Sequence, residues 1–195
     1  MLSNQRSLIE PFFQPLIKNL ATVNPNLLTA LGSIPPILFF VFMVYHWYIL
    51  ALIALPGSFF DMLDGMVAKK YHKVTSFGGF FDSTVDRIAD FLIITSFAFA
   101  GIVPWTVVAP LLLFAYLTSY IRSRGELANP KVSFAMGLIE RSERLVLIFI
   151  TLLLYALFPT INFSGLTIAG IIFLFLTLLS LYTVIQRVTH AYKYL

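Results

Sequence analysis

No cysteine occurs among the 195 residues, which excludes a disulfide framework and any thiolate metal or redox centre. Charge is almost as scarce, at 11% of residues against 59% hydrophobic. Too few polar groups remain to cover a globular surface, so an ordinary soluble protein is excluded and an integral membrane protein is expected. The stretch 1–23 lacks the basic leader, apolar core and small-residue cleavage site of a secretory signal, and is not expected to be one. No internal repeat or low-complexity segment stands out. The net charge of +4 does not point to nucleic acid, because the cations gather at the ends of apolar segments, as membrane topology requires.

What the chain does contain is apolar sequence in helix-length runs. Leu8, Ile9, Phe12, Phe13, Leu16, Ile17 and Leu20 recur at three- and four-residue spacing, with Arg6, Glu10, Gln14 and Lys18 opposite. That is the pattern of an amphipathic juxtamembrane helix over 1–23, lying in the interface. Asn24-Pro25-Asn26 ends it and opens the first membrane helix. Six apolar segments of about twenty residues follow, near 25–45, 47–68, 79–102, 106–121, 137–157 and 163–186, each expected to cross a hydrocarbon core of about 30 Å. Pro35-Pro36 is expected to bend the first and Pro56-Gly57 the second.

The expected fold is therefore all-α: a six-transmembrane-helix bundle over 24–187, preceded by the interfacial helix, as one membrane domain over 1–195. Lys and Arg occur before residue 23, at 69–73, at Arg87, between Arg122 and Arg144, and at Arg187 and Lys193. None flanks His46, Val103 or residues 158–162. With six spans these are alternate sides, which puts both termini and every basic loop on the cytoplasmic side of the cell membrane.

Five of the nine acidic residues lie between Asp61 and Asp90. On a helix Asp61, Asp64 and Ala68 share a face with Gly65 beside them, and Gly78, Asp82, Asp86 and Asp90 form a second stripe at four-residue spacing. The basic link Lys69-Lys70-Tyr71-His72-Lys73 joins the stripes into a hairpin that can turn both inward. Five aspartates at membrane depth would cost about 12 to 17 kcal/mol, as much as the whole stability of a typical domain, about 5 to 15 kcal/mol. They must sit near water, be neutralised by cations, or both, and hard divalent ions prefer such oxygen ligands.

The run Asp61-x2-Asp64-Gly65-x2-Ala68-Lys69-x8-Gly78-x3-Asp82-x3-Asp86 resembles the signature of the CDP-alcohol phosphotransferases, membrane enzymes of phospholipid head-group synthesis. It departs at Lys69, where Arg is usual, which keeps the charge and loses the planar fork. The resemblance implies a metal-dependent transferase in which Asp61, Asp64, Asp82 and Asp86 serve two Mg²⁺ ions, Mn²⁺ being the alternative. It also implies that Asp61, Asp64, Gly65, Ala68, Lys69, Gly78 and Asp82 take the CDP-linked donor, that Asp86 is the base for the acceptor hydroxyl, and that the enzyme is a homodimer. Other readings remain beside these: Asp86 as a fourth ligand only, the glycines as close helix packing, and Lys69 as a snorkelling cation.

A second stretch, Tyr120-Ile121-Arg122-Ser123-Arg124-Gly125-Glu126 followed by Glu140-Arg141-Ser142-Glu143-Arg144, is similar to the subgroup of the family that makes inositol-phosphate lipids from CDP-diacylglycerol or CDP-archaeol. That similarity implies that Arg122, Arg124, Arg144 and Arg187 bind the phosphate of inositol 1-phosphate, whereas charge alone would equally suit anionic lipid headgroups. The partners implied are a CDP-lipid donor, a phosphorylated polyol acceptor and membrane lipids. Rival expectations are an acceptor such as glycerol 3-phosphate, a soluble product from a CDP-activated alcohol, and a cation transporter with carboxylates in a polar cavity.

Overall fold

The computed structural model describes residues 14, 17–59, 62–163 and 165–195. Helices α1 (Pro25–Gly32) and α2 (Ile34–Val44) are followed by α3 (Tyr48–Ala54), a 3-10 turn Leu55–Phe59 and α4 (Met62–Lys70). Then come α5 (Ser76–Phe99), α6 (Trp105–Ala128), α7 (Arg141–Leu157), a two-residue hairpin and α8 (Ile168–Tyr194). Of the expected interfacial helix, residues 14 and 17–19 are helical, and the remainder of the stretch before residue 17 lies outside the described residues.

The expected bends are breaks. α1 stops at Gly32 because Pro35 and Pro36 lack the N–H groups that would continue it, and they sit instead in the first turn of α2. Pro56-Gly57 falls inside the 3-10 turn that splits the second segment. The two breaks abut, since a Cβ on Gly57 would stand 2.8 Å from Pro35 Cγ. The helix after Pro104 runs to Ala128, beyond the expected end at 121, so Arg122 and Arg124 are helical. The segment expected to be helical from 137 becomes so only at Arg141. The antiparallel pair β1 (Asn162–Phe163) and β2 (Leu166–Thr167) was not expected, because two residues per strand leave no periodicity to read.

Among the described residues, four stretches are long and apolar enough to cross a membrane: Pro25–Val44, Tyr48–Lys70, Trp105–Ala128 and Ile168–Tyr194. Two of the six expected spans are not among them. α5 carries Asp82, Asp86, Arg87 and Asp90, and α7 has 17 residues, about 26 Å at the usual helical rise. Ile49, Ile53, Phe175 and Leu178 are among many large apolar side chains left exposed, an exterior suited to lipid tails and not to water.

The chain forms two compact units, one ending at Ser96 and the other starting at Phe97. In the first, α1 packs against α4, and α2 packs on α3 and the 3-10 turn. Ile17, Leu63 and Val67 form a buried cluster, and two lysines of the basic link strap the preceding segment down. Lys70 Nζ donates to Gln14 Oε1, while Lys73 Nζ donates to the carbonyls of Ala21 at 2.8 Å and Val23 at 3.3 Å. In the second unit α6 lies along α8, and α7 also packs on α8. Phe134 is fully buried in the loop before α7, against Gly125, where a Cβ would come within 2.6 Å of its ring. Gly137 has φ +136 and faces Thr183, whose Oγ1 accepts from Ile139 N–H at 3.2 Å.

Candidate active site

A concave cleft, open to solvent, lies between α1, α4 and the start of α5, the kind of place where small ligands bind. Asp64, Gly65, Ala68 and Lys69 of α4 line one wall. Gly78 and Asp82 of α5 line another. Six of the seven residues expected to hold the donor are thus brought together; the seventh, Asp61, lies outside the described residues. The start of α5 is fixed by Thr75, whose Oγ1 accepts from Gly78 N–H at 3.0 Å as an N-cap does.

Asp64 is 5% exposed and accepts hydrogen bonds from Thr29 Oγ1 and from Gly65 N–H. The two glycines differ. A Cβ on Gly78 would stand 3.1 Å from Asn26 Oδ1 and from Thr75 Oγ1, whereas a Cβ on Gly65 would meet nothing within 4 Å. Close packing accounts for Gly78, but Gly65 faces the open cleft. Gly65→Ala is therefore expected to leave thermal stability within about 1 kcal/mol of the parent, the helix preferring Ala if anything, while raising the donor's KM. Unchanged donor KM in a steady-state assay would argue against close approach at this position.

Asp64 and Asp82 present only oxygen to the cleft, which suits a hard divalent cation, and Mg²⁺ is commonly held by one or two carboxylates together with substrate phosphates. On that chemistry the residues fit the expected metal, although among the described residues no three acidic or imidazole groups converge on one point. Asp86 lies one turn beyond Asp82 and does not line the cleft. Arg87 sits 3.8 Å from Asp86 and 3.3 Å from Asp90, so Asp90 pairs with an arginine.

The arginines fall in the second unit. Arg187 is 3% exposed. Its Nε donates to Met136 O at 2.7 Å, Nη1 donates to Thr118 O, and Nη2 lies 3.4 Å from Glu140 Oε1. The charges of Arg122, Glu126, Glu140 and Arg144 all act on it, so three of the four predicted arginines share one electrostatic neighbourhood. Arg144 is 2% exposed on the inner face of α7. Arg122 pairs with Glu126 at 3.0 Å. Arg124 is exposed.

Sequence reasoning missed Thr29, Phe134 and the capping role of Glu140. Glu140 caps α7: its carboxylate accepts from the Glu143 backbone, and Glu143 Oε2 accepts from Glu140 N–H at 3.2 Å. The Glu-x-x-Glu spacing was visible, but glutamate is an unusual N-cap. Nothing in an apolar helix marks one threonine as the partner of an aspartate 35 positions later.

A family model described as CDP-alcohol phosphatidyltransferase matches residues 22–186, nearly the whole chain. The chain belongs to this family. Among curated members, archaetidylinositol phosphate synthase of Pyrococcus horikoshii is 36% identical over 196 residues, covering 99% of this chain and 97% of that protein. Phosphatidylinositol phosphate synthase of Cutibacterium acnes is 31% identical, covering 86% of this chain and 84% of its own length. The same fold occurs in the Mycobacterium tuberculosis phosphatidylinositol phosphate synthase. Its crystal structure with CDP-DAG bound superposes with TM-score 0.77 at 22% identity, over 91% of this chain and 92% of that one. A second structure of that enzyme, in complex with manganese and citrate, also gives TM-score 0.77, at 22% identity over 91% and 88% of the two chains.

Proposed function

We propose that this family member transfers a phosphatidyl-type group, diacylglycerol or archaeol phosphate, from a CDP-linked lipid to a hydroxyl of inositol 1-phosphate and releases CMP. The observation that carries this reading is the cleft, where Asp64, Gly65, Ala68, Lys69, Gly78 and Asp82 converge. Full-length relatives named for inositol-phosphate lipid synthesis support the choice of acceptor.

The acceptor oxygen attacks the phosphorus that bears the lipid, the bond from that phosphorus to the CMP oxygen breaks, and the hydroxyl proton passes to Asp86. Lys69 offsets charge on the donor phosphates, and open space beside Gly65 lets the nucleotide approach the helix backbone. Asp61, Asp64, Asp82 and Asp86 would hold two Mg²⁺, with Mn²⁺ as the substitute, and such ions neutralise phosphoryl and leaving-group oxygens. Arg122, Arg124, Arg144 and Arg187 hold the acceptor's phosphate. Arg187 does so partly through its neighbours, since three of its N–H groups face protein acceptors.

In this reading α5 and α7 also cross the bilayer, giving six spans, and residues 1–23 lie in the interface. The chain works as one domain, two copies pair, and the cleft and both termini face the cytoplasm of the cell membrane. Reporters fused at Met1 and Leu195 are then expected to give cytoplasmic signals; termini on opposite sides would mean an odd number of spans.

The deciding experiment gives purified protein CDP-diacylglycerol or CDP-archaeol with inositol 1-phosphate, inositol, glycerol 3-phosphate or serine in separate reactions. CMP release is expected with inositol 1-phosphate and to be poor with the other three. Equal use of glycerol 3-phosphate would replace the acceptor, and no CMP with any of them would end the reading.

A further inference from the structure

Thr84, Thr95, Thr151 and Thr177 each donate the hydroxyl proton to the carbonyl four residues back in their own helix, the usual fate of a threonine in an apolar helix. Thr29 has the same option, with Oγ1 3.1 Å from Pro25 O, but beside it lies Asp64 Oδ2 as well. A hydroxyl has one proton. An ionised carboxylate is the stronger acceptor, and the bond to it is shielded from water because Thr29 is 2% and Asp64 5% exposed. Gly65 N–H takes the other oxygen of the same carboxylate. Asp64 is thereby gripped from two helices, and both Thr29 and Asp64 line the cleft.

We propose that Thr29 is a positioning residue for Asp64: its hydroxyl fixes the orientation in which the carboxylate would meet a divalent cation. The inference rests on the reading of Asp64 as a metal ligand made above. Partners that orient a ligand matter nearly as much as the ligand itself, and their loss commonly weakens metal binding about ten- to a hundredfold. Valine at this position keeps the volume and the branched shape of threonine while removing the hydroxyl, and serine keeps the hydroxyl.

The test titrates Mn²⁺ into purified protein without substrates and follows free Mn²⁺ by electron paramagnetic resonance. Thr29→Val is expected to raise the apparent Kd about ten- to a hundredfold, and Thr29→Ser to stay within about threefold of the parent. Asp64→Asn serves as the reference for lost binding. If Thr29→Val does not fold, Thr29→Ala takes its place under the same expectation. Parent-like Mn²⁺ binding by the hydroxyl-free variant overturns the proposal, as does a serine variant no better than valine, because packing would then be the cause. A parent protein that binds no Mn²⁺ also overturns it. The reading of the acceptor stands or falls separately. If Mn²⁺ binding follows the hydroxyl while CMP release proceeds equally well with glycerol 3-phosphate, Thr29 keeps its role and the acceptor changes. If binding ignores the hydroxyl while inositol 1-phosphate is turned over, only Thr29 loses its role.

Discussion

Asp64→Asn and Asp82→Asn are each expected to reduce CMP release by more than about a hundredfold in a protein that still folds, because each replaces a charged oxygen ligand with a neutral amide. Both side chains line the cleft, yet their surroundings differ. Asp64 is buried and braced by Thr29 Oγ1 and Gly65 N–H, so its amide also places an N–H₂ where a hydrogen-bond donor already points; some loss of stability accompanies the loss of activity there. Asp61→Asn belongs to the same set. Asp86→Asn is expected to behave differently, retaining donor and metal binding better than the other three while turning over poorly, since a base acts on the acceptor's proton. Calorimetric donor binding beside initial rates separates the two patterns. Near-normal rates in any of the first three would remove the metal assignment, and equal loss of donor binding at Asp86 would make it a ligand and nothing more.

The second large effect concerns the acceptor. Arg124→Gln removes an exposed cation, and a charge-assisted contact to phosphate is worth about 1.5 to 3 kcal/mol. The acceptor's KM is expected to rise about ten- to a hundredfold with little change in the donor's. Arg144→Gln should show the same KM pattern and in addition a lower melting temperature, because Arg144 is 2% exposed on the packed face of α7 and its truncation disturbs that packing. If both KM values rise together, or the acceptor's does not move, these arginines serve lipid headgroups or the fold instead of the substrate.

The aspartate hairpin was legible because fixed spacing and scarce charge coincide there. Gly65, Ala68, Gly78 and Asp82 fell into one cleft as their offsets required. The arginine stretch was less legible: charge counted along the chain did not reveal that Arg187 would turn toward Met136 O and Thr118 O, which are main-chain groups and carry no sequence signal. Helix ends were misjudged where polar residues continue a helix, as at Arg122 to Ala128. They were also misjudged where apolar residues do not form one, as at 137–140, where Gly137 with positive φ and the Glu140 cap delay the start. Thr29 was invisible because its partner is brought by tertiary packing.

The abutting breaks at Pro35 and Gly57 set a lateral alignment. Where the backbone at Gly57 comes so near the Pro35 ring that no Cβ fits between them, sliding one segment past the other by a single residue would drive the side chain of Pro56 or Ser58 into that ring. Thr29 stands six positions before Pro35, and Asp64 stands seven positions after Gly57 on a chain running back along the first helix. Nearly equal arms measured from one fulcrum bring the hydroxyl and the carboxylate level. The two kinks therefore act as a gauge of depth: they decide which residue of the first helix the buried aspartate meets.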